Sequence, residues 1–184
     1  MRSIVALGGT PRPGSSTEKI LGICCRAAEA EGAVITRFDG AYMSSLPYYR
    51  GPGHSDQAGA EMVAAVRSAD GLIIASPGYH GSISGLVKNA LDYFEDLSTD
   101  ARPYFHGRPV GLIATAFGHQ AAMSTLLTLR SITHALRGWP TPIGAAIRTT
   151  PETFDDLGEI LDVGARMQLE LVGKQVVGAA GILS

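Results

Sequence analysis

The 184-residue chain has few of the features that mark a secreted, nucleic-acid-binding or membrane-spanning protein. Its only two cysteines, Cys24 and Cys25, are adjacent, whereas a disulfide framework needs separated partners. Fifteen basic residues against seventeen acidic ones leave a net charge of −2, and proteins that hold a phosphate backbone are strongly basic. No apolar run approaches the ~20 residues of a membrane span. These shortages predict a cytoplasmic protein without a nucleic-acid or membrane partner.

Metal-ligand and dithiol patterns are also missing. The five histidines form neither an H-E-x-x-H motif nor a Cys-His zinc spacing, so no metal site is expected. Cys24 and Cys25 lack the C-x-x-C spacing of a redox pair, and their alanine-rich surroundings favour small buried residues. The chain is instead rich in glycine, with 23 residues, which indicates tight turns and close backbone approaches.

Short apolar runs alternate with amphipathic stretches along the chain. Strands are predicted at 4–7, 33–38, 71–75, 109–115 and 142–147, and helices at 16–31, 57–68, 84–94, 120–136 and 151–174, with 40–56 irregular. Pro151 is expected in the first turn of the last helix. Continuous apolar strands between helices predict a parallel sheet covered on both faces. This pattern favours one α/β domain over residues 1–184, with a flavodoxin-like, doubly wound, five-stranded sheet of order 2-1-3-4-5.

In such sheets, ligands bind outside the carboxyl ends of the strands, where the strand order reverses. The loop after the first strand reaches this place and leads into a helix N-terminus, whose N–H groups attract anions. Four hydroxyl residues and one cation lie in and just after this loop: Thr10, Ser15, Ser16, Thr17 and Arg12. The loop is therefore a candidate anion site.

The spacing of Gly9 and Gly14 is that of a Walker loop, but the motif is incomplete. Ser15 occupies the position of its lysine, and the dinucleotide pattern G-x-G-x-x-G is missing as well. Hydroxyl groups with one arginine favour a single phosphate group. The alternative is a plain capped helix after a tight turn.

Two further loops are expected at the same edge of the sheet. The loop after the third strand, within residues 76–92, is rich in glycine and carries Tyr79, so it could lie flat against a planar ring or be an ordinary connection. It is not the nucleophile elbow of a serine hydrolase, because Ile83 occupies the serine position of G-x-S-x-G. The loop after the fourth strand, residues 115–120, could contact the same ring or merely connect two elements.

Together, the first two loops resemble those of the NAD(P)H-dependent FMN reductase family. That family carries G-[ST]-x-R-x-x-S after the first strand, and this chain has Gly9-Thr10-Pro11-Arg12-Pro13-Gly14-Ser15 there. The family's second motif, P-x-Y-N-x-S-x-x-G-x-L-K-N-A-[IL]-D, is matched by Pro77, Tyr79, Ser82, Gly85, Lys88, Asn89, Ala90, Leu91 and Asp92. The chain departs from the family at His80, where Asn is usual, and at Gly78, where Glu is frequent.

The resemblance implies a flavodoxin-like fold that holds FMN non-covalently, with NADPH or NADH as the co-substrate. By position, it assigns Thr10, Arg12, Ser15 and Thr17 to the phosphate, with Ser16 as a further cofactor-binding residue beside them. Pro77, Gly78, Tyr79, His80 and Ser82 would border the isoalloxazine ring, and Gly118 would close the site from the third loop. Lys88 and Asn89 are interpreted as structural or interfacial residues. The resemblance also implies a homodimer or homotetramer.

The implied function is hydride transfer from NAD(P)H to FMN, then electron transfer to a second small molecule in ping-pong order. That acceptor could be free flavin, a quinone, an azo compound or a metal oxyanion, and no side chain is expected to act as an obligatory acid or base. The alternatives are a flavodoxin-type electron carrier, for which the charge of −2 is small, and a non-enzymatic FMN-binding module. Tyr42, Tyr48 and Tyr49 could line an acceptor pocket or a subunit contact.

Overall fold

Residues 1–182, the part of the chain that the computed structural model describes, alternate strands with helices. The strands are β1 (Arg2–Gly8), β2 (Ala33–Phe38), β3 (Gly71–Tyr79), β4 (Ser82–Ile83), β5 (Pro109–Ala116), β6 (Trp139–Pro140) and β7 (Ala145–Arg148). The helices are α1 (Ser16–Ala30), α2 (Gly40–Ser45), α3 (Gln57–Ser68), α4 (Gly85–Asp92), α5 (His119–Ala135) and α6 (Val163–Ala180). Short 3-10 helices cover Tyr93–Leu97 and Pro151–Thr153.

The sheet is doubly wound, as the sequence predicts. Its strands lie in the order β2-β1-β3-β5-β6, and each neighbouring pair on this path is parallel. β7 also lies parallel to β5 and overlaps the predicted fifth strand, 142–147, whereas β6 precedes that range, so the last strand is longer than predicted and in two pieces. The sheet has seven strands instead of the predicted five because of this division and because β4 pairs antiparallel with β3.

The last strand is divided at residues 141–144, where the backbone cannot continue a sheet ladder. Pro140 and Pro142 have no N–H to donate, and proline is confined to sheet edges and irregular positions for that reason. Arg130 Nη2 donates to two carbonyl oxygens of the interrupted segment, at 3.2 and 3.4 Å. Gln175 Oε1 accepts one of its N–H groups at 3.0 Å. Side chains of α5 and α6 thus replace the missing strand partner.

Apolar side chains cover both faces of the sheet, which confirms the predicted arrangement. On one face, α3, α4 and α5 pack over a cluster that includes Val5 and Leu7 of β1. On the other face, α1 and α6 pack over a cluster that includes Ile4 and Ala6. Successive residues of a strand point to opposite faces, so a strand buried on both sides is apolar at every position.

The segment predicted as irregular contains a helix. Residues Gly40–Ser45 form α2, whose N-cap Asp39 accepts a hydrogen bond from the Tyr42 N–H at 2.8 Å. Six residues are too few to show a helical period in the sequence, and a glycine at the first position does not indicate the start of a helix.

The last helix begins at Val163, so the predicted start at Pro151 was wrong. The proline does open a helical turn, but that turn is the 3-10 helix Pro151–Thr153. Phe154 and Ile160 then pair in an antiparallel bridge, which takes the backbone out of the helical region. A new helix starts only after Asp162, whose carboxylate accepts a first-turn N–H at 3.0 Å. A proline signal cannot distinguish one turn from a long helix.

β3 extends past its predicted end and returns as β4 through a two-residue turn. The turn residues His80 and Gly81 have φ values of +51° and +82°, as in the hairpin turn of type I′. Asparagine, glycine and, to a smaller degree, histidine tolerate this left-handed region. The asparagine of the family motif at position 80 would suit the same turn, so the exchange for histidine has a conformational explanation.

The described residues offer little chemistry away from the strand ends. Within residues 1–182, no helix has the length and apolar character needed to cross a membrane, and no three His, Cys, Asp or Glu side chains meet where they could hold a metal ion. Cys24 and Cys25 are buried on α1, and burial raises the pKa of Cys25 to about 11. Both cysteines pack as small buried residues, which confirms the prediction.

Candidate functional site

A cleft of about 200 Å³ opens at the carboxyl ends of β1, β3 and β5. It lies where the strand order reverses, and all three loops that the sequence predicts to meet there contribute to it. The lining residues are Thr10, Arg12, Ser15, Ser16, Thr17, Pro77, Gly78, Tyr79, Thr115, Ala116, Phe117 and Thr149. The structure thus brings eight of the eleven predicted site residues to one place.

The other three predicted site residues, His80, Ser82 and Gly118, do not line this cleft. His80 and Ser82 are exposed in the hairpin just beyond Tyr79. Gly118 is exposed as the N-cap of α5, directly after Phe117, which does line the cleft. Contacts of these three residues with a ring therefore stay predictions.

A larger cavity, of about 520 Å³, lies apart from the reversal point, between the end of β7 and the start of α6. Its lining includes the acidic side chains of Glu152 and Asp162 beside the single arginine Arg148. Two carboxylates oppose the binding of a phosphate there. Because the lining of the smaller cleft combines hydroxyl groups with an arginine and includes no acidic residue, we take it as the candidate site.

Side chains of the first loop hold the loop's own backbone. Thr10 Oγ1 accepts a hydrogen bond from the Arg12 N–H at 3.3 Å. Ser15, the N-cap of α1, accepts one from the Glu18 N–H at 3.3 Å. The Glu18 carboxylate in turn accepts one from the Gly14 N–H at 2.9 Å. These bonds fix the loop shape without using the first two N–H groups of the helix.

The start of α1 has the donors that a phosphate group needs. The N–H groups of Ser16 and Thr17 lie in the first helical turn, where no intrahelical acceptor exists. The exposed Arg12 can add a charge-assisted bond. Glu18 is the nearby acidic group, and its charge is partly balanced by Arg37, whose Nη2 lies 3.7 Å from Glu18 Oε1. The donor set fits a single phosphate group at the helix N-terminus.

Thr17 joins the first loop to the third. Its Oγ1 lies 2.7 Å from Thr115 Oγ1, and both side chains are buried. One hydroxyl donates to the other, so the start of α1 is fixed to the end of β5. This bond sets the width of the cleft between two loops that are far apart in the sequence.

The segment after β7 also contributes to the cleft, which the sequence pattern did not predict. The Thr149 N–H donates to the Ala116 carbonyl at 2.8 Å, and Arg148 Nε donates to the Phe117 carbonyl at 3.0 Å. Both bonds position the third loop. The polar run that follows the last apolar strand is the available signal, but the helix predicted from Pro151 obscures it.

A second cavity, of about 160 Å³, adjoins the cleft. It is lined by Gly9, Thr10, Pro11, Pro77, Tyr79, Ser84, Gly85 and Leu86. Thr10, Pro77 and Tyr79 line both spaces, so the two are adjacent. Backbone, proline and leucine atoms dominate these walls, which suits part of a planar ring.

Gly40 supports the first loop from behind. A Cβ atom at this position would stand 1.9 Å from the Thr10 carbonyl oxygen and 2.6 Å from the Thr10 nitrogen. The contact exists because α2 begins against the loop, directly after its cap Asp39. The first loop can therefore keep its position only because residue 40, in α2, is a glycine without a Cβ atom.

Lys88 and Asn89 both make contacts within the chain. Lys88 forms an ion pair with Asp92 one helical turn later. Asn89 Oδ1 accepts a hydrogen bond from the Tyr49 N–H at 3.0 Å, and its Nδ2 donates to the Pro47 carbonyl at 3.0 Å. The asparagine thus binds the backbone that follows α2.

Two groups of curated proteins are similar to the chain. An NADPH azoreductase from Bacillus sp. is 28% identical over 130 residues, which cover 70% of this chain and 66% of that protein. An FMN-dependent NADPH-azoreductase from Staphylococcus aureus is 44% identical over 75 residues, 41% of this chain and 36% of that protein. The chain therefore spans slightly less than two thirds of the first relative and about a third of the second.

Solved structures share the fold at low sequence identity. The flavoenzyme NAD(P)H:(acceptor) oxidoreductase FerB from Paracoccus denitrificans has a TM-score of 0.81 at 17% identity, over 99% of this chain and 98% of that chain. An NADH:FMN oxidoreductase, EMOB, has a TM-score of 0.77 at 22% identity, over 100% of this chain and 91% of that chain. These similarities confirm the flavodoxin-like fold class.

A family model agrees with the resemblance that the two sequence motifs carry. It is described as NADPH-dependent FMN reductase and matches residues 2–151, which include every residue that lines the cleft. The cofactors predicted for the chain, FMN and a nicotinamide nucleotide, are those that the family description names. The chain belongs to the NADPH-dependent FMN reductase family.

Proposed function

We propose that the protein is an FMN-containing oxidoreductase that accepts a hydride from NADPH or NADH and passes the electrons to a second acceptor. The observation that carries this proposal is the donor set at the start of α1, placed at the strand-order reversal in a member of this family. FMN, when bound, supplies the two-electron redox chemistry. The chain binds and orients it.

The residues present fit the phosphate and part of the ring. Arg12 and the N–H groups of Ser16 and Thr17 would hold the phosphate, while the buried Ser15 keeps the helix start in place. The segment Pro77–Tyr79, which lines both cavities, would border the ring. No side chain in this arrangement is needed to add or remove a proton.

Anaerobic addition of NADPH to the purified holoprotein should bleach its visible flavin absorbance before any acceptor is present. With an acceptor, double-reciprocal plots at several acceptor concentrations should be parallel, because nicotinamide and acceptor take turns at one open ring face. The measurements are an absorbance titration and steady-state rates.

Two other results would point to the alternatives. Flavin that dithionite bleaches but NADPH does not would indicate a flavodoxin-type carrier. Intersecting plots without bleaching would show that bound FMN is not the hydride relay, and a binding module would be the better description.

Arg12→Ala should weaken FMN binding roughly tenfold to a hundredfold, because a charge-assisted contact contributes about 1.5–3 kcal/mol. Arg12 is exposed, so the fold should survive the change. Fluorescence titration of apoprotein gives the Kd. Riboflavin, which lacks the phosphate, should bind wild type and variant equally, and Arg12→Lys should retain most of the FMN affinity. Equal losses for FMN and riboflavin would place the phosphate elsewhere.

A further inference from the structure

The solvent side of α6 carries a row of apolar side chains. Val163, Met167 and Leu171 follow one another at intervals of four residues, which places them on one face of the helix, and they are 67%, 64% and 42% exposed. The opposite face of α6 packs against the sheet and α1. A helix that is apolar on all sides is typically buried on all sides. We refer to these three residues as the α6 row, and we expect a partner to cover it.

An acidic cavity lies at the first end of the α6 row. It is the cavity of about 520 Å³ described above, and Gly164, in the first turn of α6, belongs to its lining. Its other charged or titratable residues are Glu152, Asp162, Arg148 and His119, which leave one net negative charge when the histidine is neutral. A single ammonium group would balance that charge.

A lysine lies at the other end of the row. Lys174 follows Leu171 by three residues, so its exposed side chain continues the same face of α6. Within residues 1–182 it forms no ion pair, although Glu170 lies one helical turn earlier. Its ammonium group can therefore pair with a carboxylate of a second molecule.

The two ends of the row complement each other. Gly164 and Lys174 are ten residues apart, which is a rise of about 15 Å along the helix. When two copies of this helix lie antiparallel, the basic end of each reaches the acidic end of the other, and both contacts form together. A twofold axis between identical chains requires a self-complementary surface of this kind.

We propose that a second copy of this chain covers the α6 row. The two α6 helices pack antiparallel about a twofold axis, with Met167 of each copy against Leu171 of the other. Lys174 of each copy then enters the acidic cavity of the other and pairs with Glu152 and Asp162. The contact is independent of the proposed function, because none of these residues lines the cleft at the carboxyl ends of β1, β3 and β5.

A second copy accounts for both features at once. An apolar small molecule could cover part of the row, but it would leave Lys174 and the acidic cavity without partners. An anionic membrane surface would be repelled by Glu152 and Asp162. A second copy brings an apolar row and a cation at the required spacing, because it is the same chain.

The first test places a charge in the middle of the row. Sedimentation velocity of the FMN-loaded wild type should show an assembly, and Met167→Glu should halve its mass, because a carboxylate would be buried there without a partner. Met167 is exposed in the single chain, so the far-ultraviolet circular dichroism should not change. Val34→Glu is the control, since Val34 is 49% exposed on β2, away from α6, and this variant should keep the wild-type mass.

The second test reverses the charges at the two ends of the row. Lys174→Glu should also halve the mass of the assembly, because it places a third carboxylate in the acidic cavity. The double variant Glu152→Lys with Lys174→Glu should restore the wild-type mass. In one chain these two residues lie at opposite ends of the row, so a restored mass can arise only from a contact between copies.

Three results would overturn the proposal. A wild type that sediments as a monomer over a hundredfold range of concentration would show that no second copy binds. An unchanged mass in Met167→Glu would place the contact between copies on another surface. A loss of mass in Lys174→Glu that the double variant does not restore would contradict the pairing of the lysine with the acidic cavity.

Discussion

Gly40→Ala should reduce FMN affinity at least a hundredfold, which corresponds to about 3 kcal/mol. The new Cβ would stand 1.9 Å from the Thr10 carbonyl oxygen and 2.5 Å from the Thr10 carbonyl carbon. Both atoms belong to the backbone, so no side-chain rotation can relieve the contact. The first loop must move, and the groups that would donate hydrogen bonds to the phosphate then no longer point to one position. Fluorescence titration of apoprotein with FMN measures the loss.

The matched control is Gly22→Ala in α1. A Cβ at Gly22 would meet its nearest atom at 3.7 Å, an ordinary contact, and alanine is the better helix former. This variant should bind FMN as wild type does and be up to about 1 kcal/mol more stable. Wild-type affinity in Gly40→Ala would show that the first loop can shift freely, and the proposed phosphate site would then not depend on a fixed loop.

Arg108→Met should destabilise the protein by about 3–5 kcal/mol, one of the largest losses that a single substitution could cause here. Arg108 is 1% exposed, and its guanidinium donates to the carbonyl oxygens of Ala69, Tyr104 and Arg67 at 3.0, 2.8 and 2.7 Å. Burial, helped by the nearby Arg102, lowers the pKa of Arg108 to about 10, so the group stays charged at neutral pH. Methionine would remove the guanidinium donors of the Tyr104 and Arg67 carbonyls, each at a cost of about 1–3 kcal/mol, while the Ala69 carbonyl would keep only its 3.3 Å bond from Arg102 Nη1.

Urea unfolding followed by circular dichroism measures this loss, and the thermal midpoint should fall by roughly 10 °C. Arg26→Met is the control, because Arg26 forms an exposed ion pair with Glu159, and such pairs contribute about 0–1 kcal/mol. Arg108→Lys should recover only part of the stability, since one ammonium group cannot reach three divergent carbonyls. A loss no larger than that of Arg26→Met would mean that water replaces the guanidinium.

The sheet could be predicted because its information is local. Ile4 and Val5 point to opposite faces of the sheet, and both faces are covered by helices, so both residues are apolar. The resulting unbroken apolar run is visible in consecutive residues of the sequence. The first loop, which carries the proposed phosphate site, is equally local, since Arg12, Ser15 and the start of α1 lie within a few residues of one another. A strand, a loop and a capped helix suffice to place them.

The rest depends on contacts between distant segments, which no local pattern reports. The approach of Gly40 to Thr10 and the hydroxyl pair of Thr17 and Thr115 each join elements that become neighbours only in the folded sheet. The predicted start of α6 was wrong for a related reason. The bridge between Phe154 and Ile160 that delays it is a pairing, and a proline signal carries no information about pairing.

The divided last strand also affects how separate molecules meet. An open sheet edge presents unpaired N–H and C=O groups to a strand of another molecule, which is a common route to aggregation. At the β6–β7 edge, Pro140 and Pro142 have no N–H to donate, and the strand is interrupted over residues 141–144. An interrupted edge of this kind cannot template a continuous ladder between molecules, so the division of the last strand opposes edge-to-edge association of concentrated protein there.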